Sequence, residues 1–343
     1  MVTVKRGTNI DISSEFIPRC YLCNEEGQLL YNGLQDYRCH TGLWSFARCR
    51  KCGLVWLNPR PAPADFSKVY TDDYHTHSKQ QDIFEIVQPK KKVNLAIVAA
   101  TLHSNRLIKS RGYLLIGKIL TAFPPLREVG KIGTMCLDGM TPGRLLDVGC
   151  GGGQFLSIMK KNGWEVYGVE PDNPVADRAR QLYGISIERD TSGYAEGFFD
   201  AVTMSHVIEH VYNPLDLLNE CYRVLKPQGK LVMTTPNIES LGHLIFRQAW
   251  SLLDPSRHVY LFSMKTLRNC AERSGFRVDV CRTTAWYSRG TWIESYMTRF
   301  WKRLGATSLS LKLSGFCYQF VLELLRRCWK RAGEEIVLVA SKE

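Results

Sequence analysis

The sequence predicts an α/β protein: a doubly wound, mainly parallel sheet preceded by a small ribbon. Three observations carry that prediction. The stretch Leu145-Leu-Asp-Val-Gly-Cys-Gly-Gly-Gly-Gln-Phe155 reads as a buried strand, a glycine turn and the start of a helix. Strand-like and helix-like apolar runs then alternate to the C-terminus. Near the N-terminus, the pairs Cys20/Cys23 and Cys49/Cys52 stand 25 residues apart, a zinc-ribbon pattern with a somewhat long spacer.

At 343 residues the chain is long enough for one large or two small domains, and its 45% hydrophobic content is that of an ordinary globular protein. It holds no run of about 18 uncharged apolar residues, so no spanning helix is expected. Met1-Val-Thr-Val-Lys-Arg lacks the apolar core of a signal peptide. A cytoplasmic protein is therefore expected, whose 12 cysteines are thiols or metal ligands rather than disulfides. The formal charge of +12 suits an anionic partner: nucleic acid, a membrane surface or a phosphate-bearing substrate.

Residues 1–63 are the expected ribbon with a proline-rich linker. Each Cys-x-x-Cys pair sits on a tight knuckle, and four thiolates give a closed, structural Zn²⁺ site. Gly53 eases the second knuckle. A segment with so few core residues needs such a staple. Cys39-His40 in the spacer could substitute for one ligand. Leu54-Val-Trp-Leu-Asn-Pro-Arg-Pro-Ala-Pro63 is a short strand running into an extended linker. Residues 64–140 are a helical cap or linker, helical through 80–128, with Pro124-Pro125 stopping the helix. It is expected to cover the sheet and part of the active-site mouth, with a dimer face as the alternative.

The main domain spans residues 141–343. After the strand at 145–148, Lys160-Lys-Asn-Gly163 closes the first helix. The second strand ends at Glu170, a helix fills 171–183, and 184–188 is the third strand. Asp200–Ser205 is the fourth strand, and Asn213-Pro214 opens the next helix as N-cap and first residue. Lys226-Pro-Gln-Gly229 is a turn before the fifth strand, Lys230–Thr235. Two insertions follow, 238–262 and 286–333, on either side of a helix at 264–274 and a sixth strand at 276–281. The last strand, 334–340, is expected to run antiparallel.

In such a sheet, ligands bind beyond the C-terminal strand ends. Gly149, Gly151, Gly152 and Gly153 allow a sharp turn and close approach of a ligand. Their spacing is D-x-G-x-G-x-G, not the G-x-G-x-x-G of a pyrophosphate turn. Asp147 sets a carboxylate before that turn, where a phosphate is repelled and a ligand bearing an ammonium and a sulfonium is accepted. S-adenosylmethionine is that ligand. Glu170, 23 residues further on, stands at the offset of an acid that receives a ribose hydroxyl pair. The cofactor is therefore expected on Gly149, Gly151 and Gly153, with Asp147 at its methionine end and Glu170 at its ribose.

At these residues the chain resembles class I S-adenosylmethionine-dependent methyltransferases, in the branch of ubiquinone-type and polysaccharide-cluster enzymes. The resemblance rests on Leu146–Gly153, Val169-Glu170, Phe199-Asp-Ala-Val202, His206-Val-Ile-Glu-His210 and Leu225-Lys-Pro-Gln-Gly-Lys-Leu231. It covers roughly residues 141–285 and the last strand. It implies a seven-stranded Rossmann-like sheet, and the N-terminal zinc-binding module that many members carry. It also implies that the 206–210 segment lines the cleft, with His206 beside the cofactor and the Glu209-His210 pair beside the transferred methyl. The ubiquinone-type enzymes show E-x-x-E-H there, with carboxylates implicated in holding a divalent ion. This chain has His206 in place of the first Glu, against the oxygen preference of Mg²⁺.

The site residues then read as follows. His210 is a general base on an acceptor hydroxyl, oriented by Glu209, or both only pack and bond the loop. His258, in Asp254-Pro-Ser-Arg-His-Val-Tyr260, is the second candidate base. Between Trp286 and Gly333 stand nine Lys or Arg against two acids, a local net of +7 within the chain's +12, interleaved with Trp, Phe and Leu. That composition predicts peripheral contact with the inner face of a membrane, or a basic hairpin packed on its own domain. The expected function is methylation, chiefly O-methylation, of a small-molecule or lipid-linked sugar acceptor in polysaccharide biosynthesis. The alternatives are an RNA methyltransferase, although a nucleic-acid partner is not favoured, and a non-catalytic S-adenosylmethionine-binding scaffold.

Overall fold

The computed structural model describes residues 12–36, 41–70, 89–104, 106–108, 110–300 and 308–343. Cys39-His40, Thr71–Tyr74 and Trp301–Arg303 lie outside the described residues, as does the first part of the helical run expected from residue 80.

The ribbon is a small antiparallel sheet. Strand β1 (Ser14–Glu15) pairs with β5 (Arg60–Pro61), while β2 (Gly27–Gln35), β3 (Leu43–Cys49) and β4 (Val55–Leu57) form a meander. Pro61 therefore sits in a short strand and not in a free linker. Gly27 leaves room for the Trp56 ring, whose Cη2 lies 2.5 Å from where a Cβ would stand. Helices α1 (Pro89–Thr101), α2 (Arg111–Thr121) and α3 (Pro124–Gly133) follow. Pro124 and Pro125 open α3 as well as ending the run before it, since a helix's first turn has no N–H to lose. Gly117 lets α2 close on the Ala96 carbonyl of α1, and Gly130 lets α3 close on Thr101.

The main sheet contains β6 (Arg144–Val148), β7 (Glu165–Val169), β8 (Ser186–Glu188), β9 (Phe199–Ser205) and β10 (Leu225–Pro236). Helices α4 (Gln154–Lys161), α5 (Asn173–Tyr183) and α6 (Pro214–Val224) connect them. Then come α7 (Leu241–Phe246), β11 (Tyr260–Leu261), α8 (Met264–Arg273), β12 (Phe276–Thr284), α9 (Ser288–Phe300), α10 (Leu309–Cys328) and β13 (Glu335–Lys342). The order β12-β13-β10-β9-β6-β7-β8 makes a seven-stranded sheet in which β13 runs antiparallel to both neighbours. The expected α/β sheet is present. Its strands are buried on both faces, as parallel strands covered by helices must be: Leu145, Leu146, Ala201, Val202, Leu231 and Val232 are fully enclosed.

Local signals set several boundaries. The Asp172 carboxylate caps α5 by accepting from Val175 N at 3.0 Å, and Gly184 ends the helix in the left-handed region. Asn213 precedes α6, but its side chain makes no cap bond, so Pro214 alone marks that start. The turn expected at 226–229 lies within β10, as an irregularity with Gln228 at φ +65°.

The first insertion does more than decorate the domain. Its strand β11 pairs with β4 and completes the four-stranded order β11-β4-β3-β2. The Cys20, Leu22 and Trp56 side chains share one apolar core with Leu146, Met204 and Leu338. Ribbon and main sheet are thus packed as one body.

Candidate active site

The chain reverses direction across the sheet at β6, which has β9 on one side and β7 on the other. The crevice beyond their carboxyl ends is where such sheets take ligands. Gly149, Gly151 and Gly153 have φ of +70°, +50° and +76°, which only glycine adopts freely. A Cβ on Gly149 would stand 2.5 Å from Val207 Cγ2, so the glycine turn lies against the 206–210 segment. A Cβ on Gly151 would meet nothing within 4 Å, so open space faces that residue.

The two acids support this turn. Glu170 accepts from Gly151 N at 2.9 Å and from Asp172 N at 3.0 Å. Asp147 is buried on β6, where its Oδ1 accepts from the Thr203 hydroxyl at 2.7 Å. Burial pushes its carboxyl up to about 7; the Thr203 bond opposes this, and the Glu170 charge adds to it. No cationic side chain among the described residues pairs with it.

Beyond β9 the 206–210 segment turns back as a short 3-10 helix at Ile208–His210. Each expected site residue there has a definite place. His210 is half-buried, and its Nδ1 lies 3.1 Å from the Arg257 carbonyl and 3.1 Å from the Tyr70 hydroxyl. The carbonyl accepts only, so Nδ1 carries the proton and Nε2 keeps its lone pair. His258 is held likewise, its Nδ1 donating to the Leu252 carbonyl at 2.9 Å. The two rings meet edge to face at 4.7 Å. Burial lowers both imidazoles below the ordinary histidine value, His258 to about 4 with the His210 charge adding to the effect.

Two residues of this segment have partners that the sequence did not point to. Glu209 makes no direct hydrogen bond to His210 among the described residues; its carboxylate lies 3.2 Å from His206 Nδ1 and accepts from the Thr235 hydroxyl at 2.8 Å. His206, expected beside the cofactor, holds both ring nitrogens against acids, its Nε2 meeting Glu335 at 2.5 Å and its Nδ1 meeting Glu209. The physical reason is position: β13 brings Glu335 beside the β9 end, and two buried carboxylates there draw in a cation. Burial alone would lower His206, but Glu335 and then Glu209 raise it well above the ordinary value. Burial works against an ionised Glu209, yet His206 holds its carboxyl down to about 2.

Several participants were missed in the sequence. Tyr70 lies in the aromatic run after the linker, where it joins Phe66 and Tyr212 in a wall beside His210. Arg257 is fully buried between Asp36 and Asp254, at 2.9 Å and 2.5 Å, so its carbonyl is fixed under His210. Glu335 had a signal: with Glu334 it stands directly before the apolar run 336–340. Glu334 has a different task, accepting from Ser240, Gly242, Trp250 and Tyr318.

The four ribbon cysteines converge. Cys20 and Cys52 Sγ lie 3.4 Å apart, as do Cys23 and Cys49, and all four are within 4.8 Å of one another. Asn24 and Gly53 follow the pairs with φ of +56° and +85°, so both knuckles turn alike. Glu209, His210 and His258 also present donor atoms within 4.8 Å of one another.

A family described as methyltransferase domain matches residues 108–280. The ubiquinone biosynthesis O-methyltransferase, mitochondrial, of Rattus norvegicus is 37% identical over 162 residues, 42% of this chain and 46% of that protein. The ubiquinone biosynthesis O-methyltransferase of Alkalilimnicola ehrlichii is 34% identical over 134 residues, 35% of this chain and 54% of that protein. The chain thus spans about half the length of these curated relatives. A SAM dependent methyltransferase from Archaeoglobus fulgidus, known as a crystal structure, aligns at 22% identity and a TM-score of 0.43, over 67% of this chain and 99% of that one.

Proposed function

The chain belongs to the methyltransferase-domain family, and from that premise we propose that it is an S-adenosylmethionine-dependent O-methyltransferase acting on a small hydroxyl-bearing acceptor. The carrying observation is the glycine turn with two acids beneath it: open space at Gly151, Glu170 at the β7 end, and a buried Asp147 without a cationic partner. These residues fit a ligand whose methionine end is cationic and whose middle is a ribose, and they disfavour a pyrophosphate. When bound, that cofactor supplies an electrophilic methyl on a sulfonium. His210 takes the acceptor proton at Nε2, while Arg257 and Tyr70 hold its Nδ1 side. The Phe66, Tyr70 and Tyr212 wall shields the acceptor from water.

The relatives' names point to an acceptor of ubiquinone biosynthesis. No comparison supports the sugar or polysaccharide acceptor expected from the sequence, nor the RNA and scaffold alternatives. The test is calorimetry with S-adenosylhomocysteine, followed by methyl-transfer assays on quinol-type and sugar acceptors. Binding should weaken by about 1–3 kcal/mol in Glu170→Ala, the scale of a lost charged hydrogen bond. Preference for NAD would overturn the reading.

The donors also fit the second group. Four thiolates around Zn²⁺ at about 2.3 Å stand about 3.8 Å apart, close to the sulfur spacing here. Cys20, Cys23, Cys49 and Cys52 would therefore hold a structural zinc. Mg²⁺ fits poorly at the 206–210 segment, where one carboxylate and two imidazoles converge.

Among the described residues no helix is long and apolar enough to cross a membrane. The outer face of α10 nevertheless supports contact with an anionic lipid surface. Leu311, Gly315, Tyr318 and Leu322 face inward, while Leu309, Leu313, Phe316, Phe320 and Leu324 line the opposite side in the open. Lys312, Arg327 and Lys330 flank that stripe without ion pairs among the described residues. A second copy of the chain would set these cations against each other; anionic headgroups neutralise them. Vesicle co-sedimentation should require anionic lipid and weaken with salt, each cation contributing about 1 kcal/mol. Self-association through this face with no vesicle binding would make the occupant another copy.

A further inference from the structure

We propose that His206 is a built-in counter-cation which takes the place of a divalent ion between two buried carboxylates, and that His206→Glu would turn this spot into a divalent-cation site. The inference concerns a charge cluster and stands whether or not the acceptor assignment holds.

The geometry points to a cation. Glu209, in the turn after β9, and Glu335, at the start of β13, are 0% and 1% exposed. They approach opposite nitrogens of one ring, at 3.2 Å and 2.5 Å. A neutral imidazole has one N–H and can donate to one carboxylate only; the imidazolium donates to both. The remaining Glu209 oxygen takes the Thr235 hydroxyl, and the remaining Glu335 oxygen is buried without a partner among the described residues. The ring is held in place. His206 has φ +54°, a left-handed conformation costly for a side chain of this size, and its N–H bonds the Thr234 carbonyl at 3.0 Å. Tyr287 covers it edge-on at 5.5 Å.

Two carboxylates buried against one ring call for compensating positive charge. Here the chain supplies it covalently. A divalent ion entering beside His206 would meet an imidazolium and carboxylates already engaged, so the E-x-x-E-H type of ion site does not fit these residues. A glutamate at the same position would instead place three carboxylates around one point, an oxygen set that Mg²⁺ and Ca²⁺ accept.

The experiment uses the full chain with its ribbon cysteines loaded with zinc. Mg²⁺ and Ca²⁺ are titrated by calorimetry and by thermal unfolding into wild type, His206→Gln, His206→Glu and His206→Glu/Glu335→Gln. Wild type and His206→Gln should give no binding heat and no shift at millimolar ion. His206→Glu should bind one ion per chain and unfold at a higher temperature with it, and the double variant should lose most of that gain. If His206→Glu folds only with the ion present, that rescue is the expected result. Should it fail to fold under every condition, nitrogen-15 NMR of wild type decides: both His206 nitrogens should carry protons at pH 7, above the ordinary imidazole value of about 6.5. A single protonated nitrogen would overturn the proposal. So would a second ion in wild type that Glu209→Gln removes, or a folded His206→Glu indifferent to both ions.

Discussion

Single residues decide which group moves the proton. His258 is almost wholly buried, with its Nε2 3.9 Å from the Asp254 carboxylate, whereas His210 is half-open to the crevice. We expect His210→Ala to lower turnover by about 10²–10⁴-fold with cofactor affinity nearly unchanged. Burial keeps the His210 imidazole below its ordinary value. The acid limb of the kcat/KM profile should therefore fall below about pH 6.5, because the base is lost only when protonated. A fully active His210→Ala together with an inactive His258→Ala would reassign the role. His210 was legible because a histidine directly after a buried strand end points to the crevice. Its partners were not. Tyr70 and Arg257 stand 140 and 47 positions away, and only packing reveals them.

At the scale of elements, β11 couples ribbon to crevice. Leu57 N bonds the Val259 carbonyl at 2.9 Å, and Val259 N bonds the Glu209 carbonyl at 2.8 Å. Loss of metal from the knuckles should therefore loosen the 206–210 segment as well as the ribbon. Elemental analysis of freshly reduced protein should find zinc, and chelation should speed hydrogen exchange at the Val259 amide and reduce turnover. Unchanged protection at Val259 in zinc-free protein would show the two regions to be independent. The ribbon's cysteines were readable because two thiol pairs at fixed spacing need no tertiary information. Its fourth strand was not, since two residues inside an insertion carry no periodicity to read.

For the molecule as a whole, the Arg257 cluster and the His206 cluster tie distant chain segments together. Arg257 joins Asp36 of the ribbon to Asp254 of the first insertion. Removing it leaves two buried acids unpaired, so Arg257→Ala should cost about 3–5 kcal/mol in denaturant unfolding and shift the His210 carbonyl contact. A cost near zero would show the pair to be incidental. The pH dependence of stability carries a second signature. His206 is raised, so its contribution is full below about pH 6.5 and lost as pH rises through its folded value. Glu209 is depressed, so its contribution is full above about pH 4.3 and lost as pH falls toward about 2. Between these limits both contribute, and His206→Gln, which leaves two buried acids without their cation, should lose the stability peak between them and be least stable at the upper end, where those acids are ionised.

By itself the sequence determined what lies within a few neighbouring residues: the glycine turn with its two acids, the paired cysteine knuckles, the strand and helix alternation and the candidate base. Those features are local because backbone geometry and ligand spacing dictate them directly. Only the tertiary structure decided which distant groups meet. Glu335 pairs with His206 across 129 positions, and Arg257 with Asp36 across 221. The reason is physical: a buried charge must find its partner wherever the sheet order and the packing of insertions deliver one, and neither is written in the spacing of the residues concerned.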